Sequence, residues 1–243
     1  MPGVQANDED ARSALRLVWG ELMFEYPKIE TVFNRDPVSF KVIFGQVRKP
    51  EFAIVNTWLV TEKLDGTNIR IRLCGNGVVE YSGRTISAQL HPQLLQYLQT
   101  AFPAEKVAAA FDPNLEVILF GEGYGPKIQC GSIYRKDISF RLFDVAVRPA
   151  ISESQKYLWL EWASVVDIAG KLGIATVFDL GVMDLSEAVD HVQTMLSPVA
   201  LMENDSSVPA EGIVARTVPL LFDRWGNRVM WKLKRKDFAG GRG

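Results

Sequence analysis

The sequence predicts an α+β fold in which largely antiparallel strands are flanked by helices. Apolar runs recur along the chain, either alternating with polar residues or continuous and rich in β-branched side chains, and turn residues separate them. Segments with apolar residues at helical spacing lie between these runs. Because we find neither an internal repeat nor a linker, we expect one compact structural unit.

The first 55 residues are predicted to form an extension made of a helix and a strand. Residues 8–24 place Leu15, Val18 and Leu22 at helical spacing, which predicts an amphipathic helix. A turn-rich connector, YPKIETVFNRDP, comes next, and the run FKVIFGQV is typical of a strand. We expect this extension, residues 1–55, to pack on a core formed by residues 56–243.

A strand and a hairpin are predicted next. The run NTWLVTEKL is typical of a strand, and NIRIRL follows it with strict alternation. This alternation places Ile69, Ile71 and Leu73 on one face and Arg70 and Arg72 on the other. The turn residues GNG then lead into the run VVEYSGR, so the two runs are predicted to form a β-hairpin.

The rest of the chain alternates between predicted helices and strands. Residues 92–111 contain two short helical stretches broken at Pro103, and the apolar runs EVILFGEGYG and ISFRLFDVAV indicate central strands. The helix LEWASVVDIAGKLG is expected to end at Gly173, and DLSEAVDHVQTML to begin at Asp184, with Glu187 completing a capping box. EGIVART and NRVMWKLKRK are the last two predicted strands.

Composition restricts the classes of protein that fit. The 243 residues are 47% hydrophobic and 23% charged, as in an ordinary globular protein. The net charge of -2 argues against a protein that coats nucleic acid through bulk electrostatics, although the segment RVMWKLKRKDFAGGRG is locally basic. No apolar run approaches the about 20 residues needed to cross a bilayer, and residues 1–13 lack the pattern of a signal peptide. We therefore expect a cytoplasmic protein.

Short motifs with catalytic potential follow one another in a fixed order. The pattern KxDG beginning at Lys63 is weak by itself. It is followed by SGRT at 82–85, LFGEGYG at 119–125, FRLFDV at 140–145, EGIV at 211–214 and WKLK at 231–234. The ordered set resembles the nucleotidyltransferase motifs of ATP-dependent polynucleotide ligases and mRNA capping enzymes. The segment EKLDGTN is most similar to the corresponding motif of the RNA ligases that seal nicks.

This resemblance implies a fold, a reaction and cofactors. The fold would be an ATP-grasp-like nucleotidyltransferase domain, and only RKDFAGGRG follows Lys234 here, so we expect no C-terminal OB domain. Lys63 would attack the α-phosphorus of ATP, with Mg²⁺ or Mn²⁺, to form lysyl-AMP. The adenylate would pass to a 5′-phosphate RNA end, which is then joined to a 3′-hydroxyl. How the substrate is held stays open, and a protein partner is one hypothesis.

The predicted nucleophile requires a particular electrostatic setting. A lysine with its ordinary pKa near 10.4 is almost wholly protonated at neutral pH and has no lone pair for attack. Burial and nearby cations both lower the pKa of an amine. Lys232 and Lys234 are two residues apart on one predicted strand and share a face, so they could provide this field and neutralise the α-phosphate.

The resemblance also implies roles for carboxylates. Asp65, Glu122 and Glu211 offer the hard oxygen ligands that Mg²⁺ prefers. By similarity to the family, Asp65 and Glu211 would lie near the metal, and Glu122 near the metal and the ribose hydroxyls. Glu211 alone would be interpreted as a surface carboxylate at the start of a strand.

Base and phosphate contacts are predicted as well. The family places a stacking aromatic residue next to the aspartate of this motif, so the resemblance implies that Phe143 would stack on adenine. Phe140, three residues earlier, would point to the opposite face of the strand. Glu62 is similar to a family position that contacts adenine, but strand alternation places it opposite the nucleophile. Arg84 resembles the arginine that meets the 5′-phosphate end or the nucleotide, and Asn68 would orient phosphate or water.

Several alternatives remain open. The same first step could serve a DNA ligase, a capping reaction or a polynucleotide 5′-adenylyltransferase, and the chain could also be a non-catalytic protein that binds nucleic-acid ends. The expected substrate is nicked or broken RNA, with an RNA/DNA hybrid as a variant. GEGYG lacks the full dinucleotide fingerprint and is expected to let a nucleotide approach the backbone closely. Trp159 and Trp162 are expected to lie in a helix and pack in the core.

Overall fold

The computed structural model describes residues 24–85, 88–151 and 155–238. The helix predicted over residues 8–24 lies outside these residues, apart from Phe24. The described strands are β1 Glu30–Thr31, β2 Phe33–Arg35, β3 Val42–Val47, β4 Trp58–Lys63, β5 Thr67–Leu73, β6 Val79–Gly83, β7 Leu115–Tyr124, β8 Ser139–Pro149, β9 Leu158–Trp159, β10 Ala175–Thr176, β11 Asp179–Met183, β12 Gly212–Arg216 and β13 Met230–Lys234. The described α-helices are α1 Pro50–Ile54, α2 Pro92–Ala101, α3 Ala104–Ala108, α4 Trp162–Leu172, α5 Leu185–Thr194 and α6 Pro198–Asn204.

Two sheets organise the described residues. The smaller has five strands in the order β1-β13-β12-β4-β11, and the larger has six, ordered β10-β8-β7-β5-β6 with β9 beside β8. Strands β2 and β3 form a separate pair. All pairings are antiparallel except β1 with β13 and β10 with β8. The predicted α+β fold with largely antiparallel strands is confirmed.

Strands β5 and β6 form the predicted hairpin, with Ile71 opposite Tyr81. Ile69, Ile71 and Leu73 are buried in the core, as the alternation indicates. Their core lies between the larger sheet and helices α2 and α4. A second core, around Trp58 and Trp231, lies between the smaller sheet and helices α1 and α5. The chain passes from the smaller sheet to the larger between β4 and β5, at residues 64–66.

The helix ends follow their sequence signals. Gly173 ends α4 in the left-handed conformation at φ 62°, where a residue with Cβ would be strained. Asp184 and Glu187 form the predicted capping box at the start of α5. Among the described residues, no helix is long and apolar enough to cross a membrane.

Three expectations about local structure are wrong. The connector after residue 25 contains β1, which pairs with the distant strand β13, and β2, which pairs with the next strand, β3. Trp159 lies in the short strand β9 and not in a helix, because α4 begins only after Glu161. The glycines of GEGYG do not leave room for a ligand. A Cβ at Gly121 would collide with the Phe140 ring and one at Gly123 with the Leu94 side chain, so core side chains already occupy this space.

Candidate active site

A cavity of about 260 Å³ lies where the two sheets meet, and Lys63 borders it. Lys63 is the last residue of β4, immediately before the chain crosses between the sheets. The cavity also brings together residues of β5, β7, β8, β12 and β13 with the segment that precedes β1. Its lining is Tyr26, Pro27, Lys28, Ile29, Thr61, Glu62, Lys63, Leu64, Gly66, Asn68, Arg84, Glu122, Phe143, Val177, Val214, Arg216 and Lys232.

Lys63 and Lys234 share one carboxylate. Gly212 of β12 lies opposite Lys63 on one side and Lys234 on the other, so Glu211, just before it, reaches both amines. Lys63 Nζ donates to Glu211 Oε2 at 2.6 Å, and Lys234 Nζ donates to Glu211 Oε1 at 2.5 Å. The Glu211 carboxylate therefore bridges the two amines in the absence of nucleotide.

Lys232 faces the cavity without a carboxylate partner in the described part of the chain. Burial, together with the positive charges of Lys63, Lys234, Arg84 and Lys28, lowers the pKa of Lys232 from 10.5 to about 8. The prediction that Lys232 and Lys234 share a face is consistent with this geometry. Lys232 is therefore an amine that a bound phosphate would stabilise in its charged form.

Glu122 and Asn68 face each other on β7 and β5. Burial raises the pKa of Glu122 to about 7; Lys63 opposes this shift, whereas Glu211 and Asp65 add to it. The Gly66 N–H also donates to the Glu122 carboxylate. A Cβ at position 66 would collide with Gly123 O and the Glu122 side chain, which explains the glycine of KxDG.

A buried acceptor in the cavity has no protein partner. Within the described residues, Asn68 Oδ1 is buried and makes no hydrogen bond. Buried polar atoms are usually paired in folded proteins, so an unpaired one that borders a cavity favours a bound ligand or water there. This position agrees with the predicted role of Asn68.

The predicted metal ligands do not form a closed site. Among the described residues, no group of three His, Cys, Asp or Glu side chains lies at ligand spacing. Asp65 hydrogen-bonds through its backbone N–H to the Tyr134 hydroxyl at 3.0 Å, and its carboxylate interacts with the Cys130 thiol. Asp65, Glu122 and Glu211 nevertheless influence one another electrostatically. Mg²⁺ usually keeps several waters and needs only one or two protein carboxylates, so this open donor set fits such an ion.

The two phenylalanines of β8 differ in their surroundings, and the register of β8 shifts at Phe143, which interrupts the alternation on which the prediction of opposite faces depends. Phe140 is 2% exposed and packs edge-on against Phe102 in the core. Phe143 is half-buried and borders the cavity, where Val177 and Val214 add further apolar surface. An apolar wall with an aromatic ring is suited to a purine base.

Glu62 borders the cavity, but its carboxylate has partners within the protein. It accepts hydrogen bonds from the Ser197 hydroxyl and, at 3.2 Å, from the Val199 N–H, both at the start of α6. Burial raises the pKa of Glu62 to about 7, and these hydrogen bonds oppose the shift. The predicted contact between Glu62 and adenine stays a prediction, because Ser197 and Val199 already occupy the carboxylate.

Arg84 follows β6, is exposed and borders the cavity. Its charge contributes to the lowered pKa of Lys232, which places the two cations in the same electrostatic environment. The structure thus brings Lys63, Arg84, Glu122, Phe143 and Lys232 to one cavity. Glu211 and Lys234 join it through their contacts with Lys63.

Asp144 lies beside Phe143 and anchors the cavity wall. It is fully buried and accepts hydrogen bonds from Tyr26 at 2.5 Å, Arg216 at 3.0 Å and Arg228 at 2.8 Å. Burial alone would raise the pKa of Asp144, but the two guanidinium groups outweigh it and lower the pKa below 3.8. This cluster fixes the segment before β1 to β8 and β12.

Sequence reasoning missed the contribution of that segment. Tyr26 packs against Phe143 with ring centroids 5.0 Å apart, and Lys28 borders the cavity near Lys232. Arg216 was also missed. The buried aspartate of the LFDV motif was the available signal, because a buried carboxylate requires cationic or hydroxyl partners.

Comparisons with known proteins agree with this geometry. A family model described as RNA ligase matches residues 56–234. No curated protein matches the sequence. Among solved structures, an archaeal ATP-dependent RNA ligase is 18% identical with a TM-score of 0.56, and the match covers 88% of this chain and 49% of that chain.

A Naegleria gruberi RNA ligase mutant with ATP and Mn is 17% identical with a TM-score of 0.57, and the match covers 91% of this chain and 62% of that chain. Another mutant of the Naegleria gruberi RNA ligase, with AMP and Mn, is 18% identical with a TM-score of 0.56, and the match covers 94% of this chain and 67% of that chain. The chain thus spans about half to two thirds of the length of these proteins. At this identity the likeness shows the fold, and it confirms the predicted nucleotidyltransferase fold. Since the family model covers most of the sequence, the chain belongs to the RNA ligase family.

Proposed function

We propose that this protein is an ATP-dependent RNA ligase that forms lysyl-AMP at Lys63. The observation that carries the proposal is the position of Lys63 at a cavity between an apolar wall that includes Phe143 and a cluster of cations that includes Lys232. An adenine base fits the first surface and a polyphosphate fits the second. The family supports this assignment, and the reaction itself remains the proposal.

In the first step the Lys63 amine attacks the α-phosphorus of ATP. A bond forms between Nζ and phosphorus, the bond to the bridging oxygen breaks, and pyrophosphate leaves. Lys232 would stabilise the charge that develops on the α-phosphate, since it borders the cavity and no carboxylate of the described residues forms an ion pair with it. Asn68 Oδ1, which has no hydrogen-bond partner among the described residues, would accept from a ribose hydroxyl or a water.

Glu211 must release Lys63 before this attack. In the nucleotide-free state Lys63 Nζ donates to Glu211 Oε2 at 2.6 Å, and an amine held in this contact is not free to attack phosphorus. A divalent cation, when bound, would compete for the Glu211 carboxylate and supply positive charge beside the phosphates. We propose Asp65, Glu122 and Glu211 as the residues that hold it. The remaining cations then favour the neutral amine of Lys63.

The later steps use the adenylate made at Lys63. It passes to the 5′-phosphate of an RNA end, and the 3′-hydroxyl of a second end attacks the activated phosphate and releases AMP. Arg84 is proposed to bind the incoming 5′-phosphate, because a guanidinium can contact two phosphate oxygens at once. Nicked or broken RNA, alone or paired with DNA, is the proposed substrate class. A cytoplasmic location, a protein partner and the division at residue 55 remain predictions.

Covalent labelling tests the proposal. Incubation with α-labelled ATP and Mg²⁺ should label the wild-type chain, and Lys63→Ala should abolish the label because no other amine occupies its position. Lys171→Ala is the matched control, since Lys171 is 57% exposed on α4 and does not line the cavity at Lys63. A wild-type chain that stays unlabelled would favour a non-catalytic protein that binds RNA ends.

The substrate assignment needs a second test. Nicked duplexes with RNA or DNA on each side of the break should be sealed faster when RNA flanks the nick. Equal sealing of an all-DNA nick would contradict an RNA-specific ligase. If adenylylated 5′ ends accumulate and are not joined, the protein is a polynucleotide 5′-adenylyltransferase.

A further inference from the structure

A second, larger cavity adjoins the first. Its volume is about 830 Å³, and it shares Pro27, Lys28, Ile29 and Lys232 with the cavity at Lys63. We call it the basic groove. Its N-terminal wall, residues 24–49, precedes the range matched by the RNA ligase family model, and its other wall is formed by β13 and the residues on both sides of it.

The groove carries a large surplus of positive charge. It is lined by eight lysine or arginine side chains and two carboxylates, although the whole chain has a net charge of -2. Part of this charge is compensated: Arg48 and Lys49 both contact Glu30 at 3.3 Å, and Arg35 contacts Asp237 at 2.8 Å. The remaining surplus is concentrated on one surface.

The uncompensated cations extend from the cavity at Lys63 along the groove. Lys28 and Lys232 border both cavities, whereas Lys236 borders the basic groove and not the cavity at Lys63. In the described ranges, none of these three lysines forms an ion pair with a carboxylate. Several cations that share one groove and lack partners among the described residues are suited to a polymer of phosphates.

An exposed aromatic side chain stands at the rim of the groove. Trp225 is 66% exposed, and the next residues along the chain, Gly226 and Asn227, line the groove. The turn that carries Trp225 is fixed, because the Asp223 carboxylate accepts hydrogen bonds from Trp225 N–H at 3.0 Å and Asn227 N–H at 2.9 Å. A basic groove beside a rigid exposed aromatic ring is the combination that binds single strands of nucleic acid.

We propose that the basic groove binds the backbone of an RNA strand whose 5′-phosphate end lies at the cavity of Lys63, and that Trp225 stacks on one of its bases. The inference rests on the proposed function, because the RNA strand bound in the groove is the substrate of that reaction. The groove is more than three times the volume of the cavity at Lys63, so it is larger than a pyrophosphate needs.

The test measures binding of a 5′-phosphorylated single-stranded RNA by fluorescence anisotropy over a range of salt. The double variant Arg48→Ala/Lys236→Ala removes two exposed groove cations that do not border the cavity of Lys63. Lys236 has no ion pair in the described ranges, and Arg48, whose side chain is 41% exposed, can exchange its contact with Glu30 for a phosphate. Loss of two phosphate contacts should weaken binding at least about tenfold at low salt and reduce the slope of log affinity against log salt by about 1.4. Trp225→Ala should weaken binding about tenfold with the slope unchanged, and Trp225→Phe should restore most of it.

The control is Lys136→Ala/Lys156→Ala, which makes the same change in net charge at exposed residues outside both cavities. It should bind RNA like the wild type. The inference is overturned if the groove variant keeps wild-type affinity and slope, or if the control loses as much as the groove variant. It is also overturned if the groove variant weakens only inorganic tripolyphosphate, because the groove would then hold the leaving group.

Labelling by α-labelled ATP separates this inference from the proposed function. All four variants should label at Lys63 like the wild type, because none changes a residue that borders that cavity. If no protein labels, the proposed function fails while the RNA affinities still test the groove. If labelling persists and the groove variant binds RNA normally, only the groove inference fails.

Discussion

Asp144 and Glu211 are each bound by two cationic side chains, and the two carboxylates differ in exposure. The Asp144 side chain is 1% exposed, and its two arginines are 4% exposed. The Glu211 side chain is 13% exposed, and its two lysines, Lys63 and Lys234, are 22% and 24% exposed. The same type of contact is therefore fixed in one place and accessible to a ligand in the other.

The difference teaches which contact can be exchanged during a reaction. Removing a partner from a buried ion pair leaves an uncompensated charge away from water, so the Asp144 cluster must stay intact for the fold to persist. The partners of Glu211 lie at the edge of a cavity, where a nucleotide phosphate or a cation can replace them. We interpret Asp144 as structural and Glu211 as a residue whose partners change.

Breaking the buried cluster should have the largest effect on stability. Asp144→Asn leaves Arg216 and Arg228 without their carboxylate and should reduce the free energy of unfolding by about 3–5 kcal/mol. Urea unfolding at neutral pH measures this. Because the folded-state pKa of Asp144 is lowered, its contribution is present above pH 3.8 and is lost as the pH falls below that value. An Asp144→Asn variant as stable as the wild type would contradict our interpretation of Asp144 as a structural residue.

Substitution of the accessible carboxylate, Glu211, should affect labelling of Lys63 more than stability. Glu211→Gln should cost about 1–2 kcal/mol of stability, as loss of charge-assisted hydrogen bonds does. It should lower the rate of Lys63 labelling by at least about 100-fold, since the carboxylate is proposed to act on the metal and on the nucleophile. Single-turnover labelling and urea unfolding of the same sample give both values. A large loss of stability with normal labelling would reverse our interpretation.

Lys232 sharpens the comparison because it belongs to the accessible cluster and has no carboxylate partner in the described ranges. Its pKa is about 8, so nucleotide affinity should fall by up to about tenfold per pH unit as the pH rises above 8 and the positive charge is lost. Titrations of ATP binding from pH 7 to pH 9.5 measure this change. Lys232→Ala should bind more weakly and lose this dependence; an identical pH profile in the variant would exclude Lys232 as its origin.

The effect of Lys232 on stability has a defined sign. Its pKa is about 8 in the folded protein and 10.5 as the ordinary value, so the unfolded chain binds more protons between these limits. The Lys232 contribution to stability therefore increases as the pH rises from about 8 to 10.5. The same unfolding measurements on the wild type and on Lys232→Ala separate this contribution from that of other groups.

Tyr26→Phe should give a smaller effect on the buried cluster. The variant keeps the ring that packs against Phe143 and removes the hydroxyl that donates to Asp144 and accepts from Arg228. We expect a loss of about 1.5–3 kcal/mol, because the lost hydrogen bond has a charged acceptor. Labelling of Lys63 should stay within a few-fold of wild type. A stability loss equal to that of Asp144→Asn would show that the hydroxyl, and not the ion pairs, dominates the cluster.

Much of the fold could be predicted because its signals are local. The alternation of NIRIRL and the turn after it define the β5–β6 hairpin without help from distant residues. Proline at 103 and the capping box at Asp184 likewise set helix boundaries from neighbouring residues. The two-residue strands β1 and β9 are too short for a periodic pattern, and the pairing partner of β1, strand β13, is far away in sequence.

The site was predicted only where a motif marks it. The motifs identified Lys63, Glu122 and Lys232, which the structure brings together. The partners of Glu62 escaped prediction because Ser197 lies 135 residues away and no local pattern connects them. Tyr26 escaped for the same reason: its partner Asp144 is 118 residues away. Contacts that depend on tertiary packing leave no periodic trace in the sequence.

Identification of the modified residue tests the central claim most directly. After incubation with ATP and Mg²⁺, the chain should be digested and its peptides examined by mass spectrometry. We predict a single adenylate on the peptide that contains Lys63, attached through an acid-labile bond, and none in the Lys63→Arg variant. An adenylate on another residue, or an unmodified Lys63 peptide in protein that seals RNA nicks, would contradict the account.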